Sequence, residues 1–69
     1  MKYPFEIISW IIMQLLLHHK ALSIEQISEH TKYSEPIIIL ALGILLHEGK
    51  IELFEKDDDL YIELKEKAN

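Results

Sequence analysis

Apolar residues recur at helical spacing along the first two thirds of the chain and at alternate positions along the last third. The helical part predicts three helices, at about 4–20, 24–30 and 35–48. Pro4 and Pro36 suit the first turns of the first and third helices, because proline already has the required φ angle. Gly49 follows the last predicted turn, where a glycine often ends a helix.

Serines mark where the second and third helices begin. Ser23 is followed three residues later by Gln26, the spacing of a capping box, in which each side chain accepts a hydrogen bond from the other residue's backbone N–H. Ser34 stands at the equivalent place before the third helix, so we expect its hydroxyl to cap that helix as well. The dipeptide Ala21-Leu22 is predicted to be a plain link.

Beyond the third helix the period changes to two, which predicts a β-hairpin at about 50–65 with one buried face. Pairing Leu53 with Ile62 and Ile51 with Leu64 keeps both apolar rows on the same side of the hairpin. The hairpin is therefore predicted to pack one face on the helices and to expose the other.

This register leaves a two-residue turn at Asp57-Asp58 and sets Phe54 opposite Tyr61 on the outer face. The acidic run continues to Asp59, and we interpret it as a solvated turn because aspartate commonly forms turns. The two aromatic rings form a cross-strand pair in one interpretation and a stacking platform for single-stranded bases in the other. We favour the pair, because few basic residues surround the rings.

The succession of a helix, a capped short helix, a three-residue turn, a longer helix ending in glycine and a hairpin resembles the winged helix-turn-helix fold. The passage Leu45-Leu46-His47-Glu48-Gly49-Lys50-Ile51 is similar to the step from recognition helix to wing in MarR-like regulators. With Ala41-Leu42-Gly43, the chain most resembles the small stand-alone winged-helix domains of bacteria and archaea that lack an assigned function. The resemblance covers about 22–64. It implies an α+β fold with three helices followed by a two-stranded β-hairpin wing, and the length predicts a single domain over 1–69.

Composition bears on the partners of such a domain. The 69 residues are 49% hydrophobic, and an oligomer is the simplest way for so short a chain to bury that surface. The net charge is −5, with twelve acidic residues, seven lysines and no arginine. This balance opposes binding to a phosphate backbone, which depends on lysine and arginine. The absence of cysteine excludes disulfides and cysteine-containing zinc sites.

The resemblance implies that the third helix enters the DNA major groove and that the wing touches the backbone. From Ser34 to Gly49, however, the chain contains no lysine and no arginine. If Leu45 packs inside, the outward face of the helix is predicted to comprise Ile39, Leu40, Gly43, Leu46 and His47. A DNA-binding protein would have to rely on the lysines near the expected contact surface, which are Lys32, Lys50 and Lys56.

Gly43 lowers helix propensity by about 1 kcal/mol relative to alanine, so its place in the third helix calls for a reason. Close approach of another backbone would supply one. We therefore expect the outward face of this helix to be covered. The covering element would be a terminal segment of the chain or of its dimer partner, or another protein.

The first helix carries a second stripe nearly opposite its core face, formed by Glu6, Trp10, Met13 and Leu17. Its three apolar members have the spacing of knobs-into-holes packing, and exposed apolar stripes usually mark interfaces. We predict that this stripe forms a homodimer. The alternative is a helix that tolerates a few exposed apolar residues. The resemblance favours the dimer, because many winged-helix proteins dimerise through this helix and the chain ends.

No catalytic residue, cofactor or metal site is predicted. His18 and His19 are adjacent and point about 100° apart on a helix, while His30 and His47 lie on different elements. This spacing matches no zinc pattern. The serines are explained as caps and the carboxylates lie on turns and solvated faces, so the protein is not expected to be an enzyme.

Glu6 and Gln14 interrupt the apolar N-terminal stretch, which is also shorter than the roughly 20 residues that span a bilayer. We therefore expect a soluble cytoplasmic protein with no membrane partner. The sequence favours a homodimeric winged-helix module that acts mainly in protein–protein interaction, with itself and a further protein as partners. The alternative is a DNA-binding transcription regulator, for which the chemistry is poor.

Overall fold

The computed structural model describes residues 4–65. In chain order, the elements are α1 (Phe5–His18), β1 (Leu22–Ser23), α2 (Ile24–Thr31), α3 (Glu35–His47), β2 (Ile51–Lys56) and β3 (Asp59–Leu64). The helices α1 and α3 lie inside the ranges expected from the sequence, and α2 extends one residue further. The architecture is α+β, with three helices packed on one antiparallel sheet.

The two serine caps differ. Ser23 completes the predicted capping box, because its Oγ accepts the Gln26 N–H at 3.1 Å and Gln26 Oε1 accepts the Ser23 N–H at 2.9 Å. Ser34 is the N-cap residue of α3, as predicted, but its side chain makes no capping hydrogen bond, so the expected role of its hydroxyl was wrong. Pro36, the second residue of α3, has no N–H, which removes one of the two backbone donors that a capping side chain can use.

The end of α3 is fixed by backbone hydrogen bonds. Gly49 has a φ of +72°, and its N–H donates to the Leu46 carbonyl at 3.0 Å. The N–H of Lys50 donates to the Leu45 carbonyl at 3.0 Å. This pair of bonds is a Schellman motif, which satisfies carbonyls that the end of a helix leaves free. It turns the chain directly from α3 into β2.

The strand pairing is the one predicted, but the predicted burial of one face holds only in part, because Ile51 and Ile62 are buried whereas Leu53 is 40% exposed. β2 pairs with β3 so that Ile51 faces Leu64 and Leu53 faces Ile62. Between the strands, Asp57 and Asp58 both have positive φ angles, 53° and 63°. Two such residues form the type I′ turn, whose twist matches that of the flanking strands.

The sheet has three strands rather than the two predicted from the sequence. Its order is β1-β3-β2, with Leu22 beside Ile62 and Ser23 beside Tyr61. A strand of two residues is too short to show an alternating pattern, and Ser23 gives the stronger signal of a helix cap. The wing hairpin is thus continuous with a short strand that leads into α2.

The core lies between the helices and the sheet. On α3, Leu45 packs inside as assumed for its outward face, and Ile38, Ala41 and Leu42 are buried with it. They pack with buried residues of the other elements, which are Ile8, Ile12, Leu16, Leu22, Ile27, Ile51 and Ile62. Each fully buried large aliphatic side chain contributes about 1.5–3 kcal/mol of transfer free energy. The same packing orients the opposite faces of α1 and α3 away from the core.

Candidate interaction surfaces

The stripe predicted on α1 is mostly exposed. Glu6 is exposed, and Trp10 and Leu17 keep 62% and 63% of their surface accessible. Met13 differs from the prediction, because it is half-buried and packs against the core. Met13 lies between the core and the stripe, and its side chain lines a groove beside α1.

This groove runs between α1 and the C-terminal half of α3 and has a volume of about 490 Å³. Its apolar lining comes from both helices: Phe5, Trp10, Met13, Leu17, Ile44 and Leu45. Its polar and charged lining is formed by Glu6, Ser9, Gln14, Glu48 and Lys50. We call it the α1–α3 groove. Ile44, which falls between the inner and outer faces of α3, is 40% exposed.

Ser9 is unusual within the α1–α3 groove. Its Oγ is buried, yet it has no hydrogen-bond partner within residues 4–65. A buried hydroxyl without a partner costs about 1–3 kcal/mol. The groove therefore combines exposed apolar side chains with an unsatisfied polar atom, as expected of a surface that receives another molecule.

The outward face of α3 is as predicted in its residues, because Ile39, Leu40, Gly43, Leu46 and His47 are all exposed. We call these five residues the α3 outer face. A Cβ placed on Gly43 would meet no described atom within 4 Å. The close backbone approach expected at this glycine is thus absent from residues 4–65, and the terminal segments expected to cover it lie outside the described residues. The face offers neither a bidentate donor nor a fixed cation.

The three lysines of the DNA alternative sit in different settings. Lys32 ends α2 in a left-handed conformation, and Lys56 ends β2 beside the acidic turn. The Lys50 Nζ lies 3.3 Å from a Glu48 carboxylate oxygen, so its charge is partly compensated. Lys50 lines the α1–α3 groove and Lys56 lines a depression on the wing, so these two lysines belong to different surfaces.

On the outer face of the wing, Phe54 and Tyr61 form the predicted cross-strand pair. Their ring centres are 5.8 Å apart and the ring planes differ by 23°, an offset stack. A shallow depression beside them is lined by two lysines and two carboxylates: Lys20, Lys56, Asp57 and Glu63. These opposite charges compensate one another, which suits a solvated protein surface better than a nucleic-acid groove.

The fold brings together two histidines from the ends of different helices. The rings of His19, at the end of α1, and His30, in the last turn of α2, have centres 5.0 Å apart. The sequence offers no signal for this contact, because it depends on how two helices cross. Within the described range, no cluster of three or more His, Cys, Asp or Glu side chains could hold a metal ion.

No described helix is long and apolar enough to cross a membrane. A family model described as a winged helix-turn-helix domain (DUF2582) matches residues 10–64. The chain belongs to this family. The match includes most of α1 and the whole wing, and it confirms the resemblance drawn from the sequence. The winged helix is a DNA-binding type of fold, and one fold serves many functions. No curated protein matches the chain.

Proposed function

We propose that this chain is a homodimeric winged-helix module that acts mainly in protein–protein interaction. The observation that carries the proposal is the α1–α3 groove, where Trp10, Leu17 and Ile44 remain exposed beside a buried, unsatisfied Ser9 hydroxyl. Exposed large apolar side chains that cluster in one groove often mark an interface.

A second copy of the chain is the natural occupant of this groove. A standard interface buries about 800 Å² on each partner, roughly 15% of the 5300 Å² that one copy exposes. Trp10 has the size and the position to anchor such an interface, since tryptophan is enriched among the residues that dominate binding energy. Ile7, also exposed on α1, lies one turn before Trp10 and extends the apolar area. Symmetric packing of α1 against α1 would use all of these side chains twice.

The α3 outer face supports protein binding over base reading. Base recognition in the major groove uses arginine, lysine, asparagine or glutamine at the reading positions. The α3 outer face instead presents three large aliphatic side chains and one histidine. At the wing tip, three consecutive aspartates would face phosphates. An apolar helix face exposed in this way suits a groove or a helix of another protein.

Two measurements test the proposal. Light scattering at ~100 μM should give the mass of a dimer, and dilution should shift the mass toward that of the monomer. A mixed-sequence DNA duplex should show no binding at moderate salt. A monomer at the highest concentration would disprove the homodimer. DNA binding whose log affinity falls linearly with log salt concentration would favour the alternative, a transcription regulator.

A further inference from the structure

The contact between His19 and His30 links the C-terminal ends of two helices. His19 is the residue that follows the last turn of α1, and its backbone N–H donates to the Leu15 carbonyl at 2.9 Å. His30 belongs to the last turn of α2. Both side chains are exposed, and their ring planes are inclined at 44° rather than stacked in parallel. Neither ring is needed for the core.

The separation of the rings fits a shared metal ion. With metal–nitrogen distances of about 2.1 Å and a tetrahedral angle, two coordinated imidazoles have their ring centres about 5 Å apart. The measured separation is 5.0 Å. Imidazole is the commonest side-chain ligand for transition metals. The ring centres are therefore already at about the separation that two imidazoles bound to one ion would have.

The surroundings also favour a cation. The C-terminal end of a helix carries a partial negative charge, and two such ends meet at this pair. The charged residues adjacent in sequence are Lys20, next to His19, and Glu29, next to His30, so their formal charges balance. The remaining coordination positions would be filled by water.

We propose that His19 and His30 form a two-imidazole binding site for a divalent transition-metal ion such as Zn²⁺, Ni²⁺ or Cu²⁺. The ion ties the end of α1 to the end of α2. Because the unfolded chain does not hold the two rings at this distance, binding stabilises the folded state by mass action. Neither His19 nor His30 lines the α1–α3 groove on which the proposed dimer rests. Affinity should follow the usual order for nitrogen ligands, with Cu²⁺ bound more tightly than Ni²⁺ or Zn²⁺.

The test is a metal titration of the full chain without an affinity tag, in a buffer that does not chelate metals. Isothermal titration with Ni²⁺ and Cu²⁺ gives affinities, and NMR of the histidine rings with Zn²⁺ identifies the ligands. The test variants are His19→Ala, His30→Ala and the double variant. His18→Ala and His47→Ala are matched controls, because each removes one exposed histidine from outside the pair.

Chelation predicts a specific pattern. Each single variant should bind the metal about a hundredfold more weakly than the unmutated chain. The double variant should bind only slightly more weakly than the single variants, because one lost ring already abolishes chelation. The controls should retain the original affinity. In the unmutated chain, Zn²⁺ should shift the His19 and His30 ring signals together. It should raise the Tm of the unmutated chain but not the Tm of the three test variants.

Two results would overturn the site. One is equal weakening by His18→Ala and His19→Ala, which would mean that single surface histidines bind independently. The other is an affinity that neither His19→Ala nor His30→Ala changes. Circular dichroism without metal establishes that each variant is folded. Because both rings are exposed, we expect the melting curves without metal to be the same for the variants and the unmutated chain.

Discussion

The α1–α3 groove and the α3 outer face are both apolar, yet they differ in shape. Trp10 on the first is 62% exposed and Leu40 on the second is 57% exposed, so accessibility alone does not separate them. The groove is concave, is lined by two helices and holds an unsatisfied hydroxyl. The outer face belongs to one helix and is interrupted by Gly43, which has open space beside it.

This difference bears on what each surface can bind tightly. A concave surface gives an incoming side chain neighbours on several sides, and dispersion attraction grows with the number of such contacts. A single helix face must find its complement entirely on the partner. We therefore propose that any stable self-association uses the groove and that the α3 outer face would make a weaker, exchangeable contact with another protein.

The largest expected effect separates the two surfaces directly. Trp10→Glu removes the anchor of the proposed dimer and places a carboxylate in each copy of the groove, so it should convert the dimer to a monomer. The lost burial is worth about 2–3 kcal/mol for each protomer. Light scattering across a dilution series measures the shift in dissociation constant.

Leu40→Glu is the matched control for that change, because it places the same charge on an equally exposed apolar position of the other surface. It should leave the dimer intact. If Leu40→Glu dissociates the dimer and Trp10→Glu does not, the assignment of the two surfaces is reversed.

The second prediction concerns the floor of the groove. Ser9→Ala removes a buried hydroxyl that has no partner in the described chain, and alanine also favours the helix. At protein concentrations low enough to keep the chain monomeric, we expect the free energy of unfolding to rise by about 1–2 kcal/mol. Chemical denaturation at fixed protein concentration gives the value. A decrease at concentrations where the chain is a dimer would indicate that Ser9 forms a hydrogen bond with the second copy of the chain.

Much of this fold could be predicted because its signals are local. The capping box at Ser23, the glycine that ends α3 and the alternation along the wing each depend on residues close in sequence. The register of the wing followed from keeping Ile51 and Leu53 on one face. These local signals all favour the same arrangement of helices and strands, and such agreement is what makes a sequence specify one fold.

The features that were missed depend on tertiary arrangement. The strand β1 forms because the chain after α1 places Leu22 beside Ile62. A strand of two residues is too short to show an alternating pattern in the sequence. Met13 turned partly inward because α3 crosses close to it. The proximity of His19 and His30 likewise depends on the crossing of α1 and α2. No helical wheel of a single element contains this information.

The third prediction tests the openness of the α3 outer face. Gly43→Ala should raise the free energy of unfolding by about 1 kcal/mol, because a Cβ there meets open space and alanine is the better helix former. Thermal or urea denaturation provides the measurement. The sequence predicts a covering backbone at this position. Destabilisation by alanine would restore that interpretation and make the outer face a second permanent interface.

The smallest effect is expected at the wing tip, which belongs to neither apolar surface. Asp57 and Asp58 both have positive φ angles, for which Asn-Gly is the preferred pair in a type I′ turn. Replacing them together by Asn and Gly should raise the free energy of unfolding by about 0.5 kcal/mol, because glycine adopts this backbone without steric cost. The dimer mass should not change, since the turn lies outside the α1–α3 groove. Light scattering and urea denaturation of the same sample measure both quantities. A change in dimer affinity would place the wing tip at the interface. The proposal that dimerisation uses the groove rather than the rest of the surface would then be wrong.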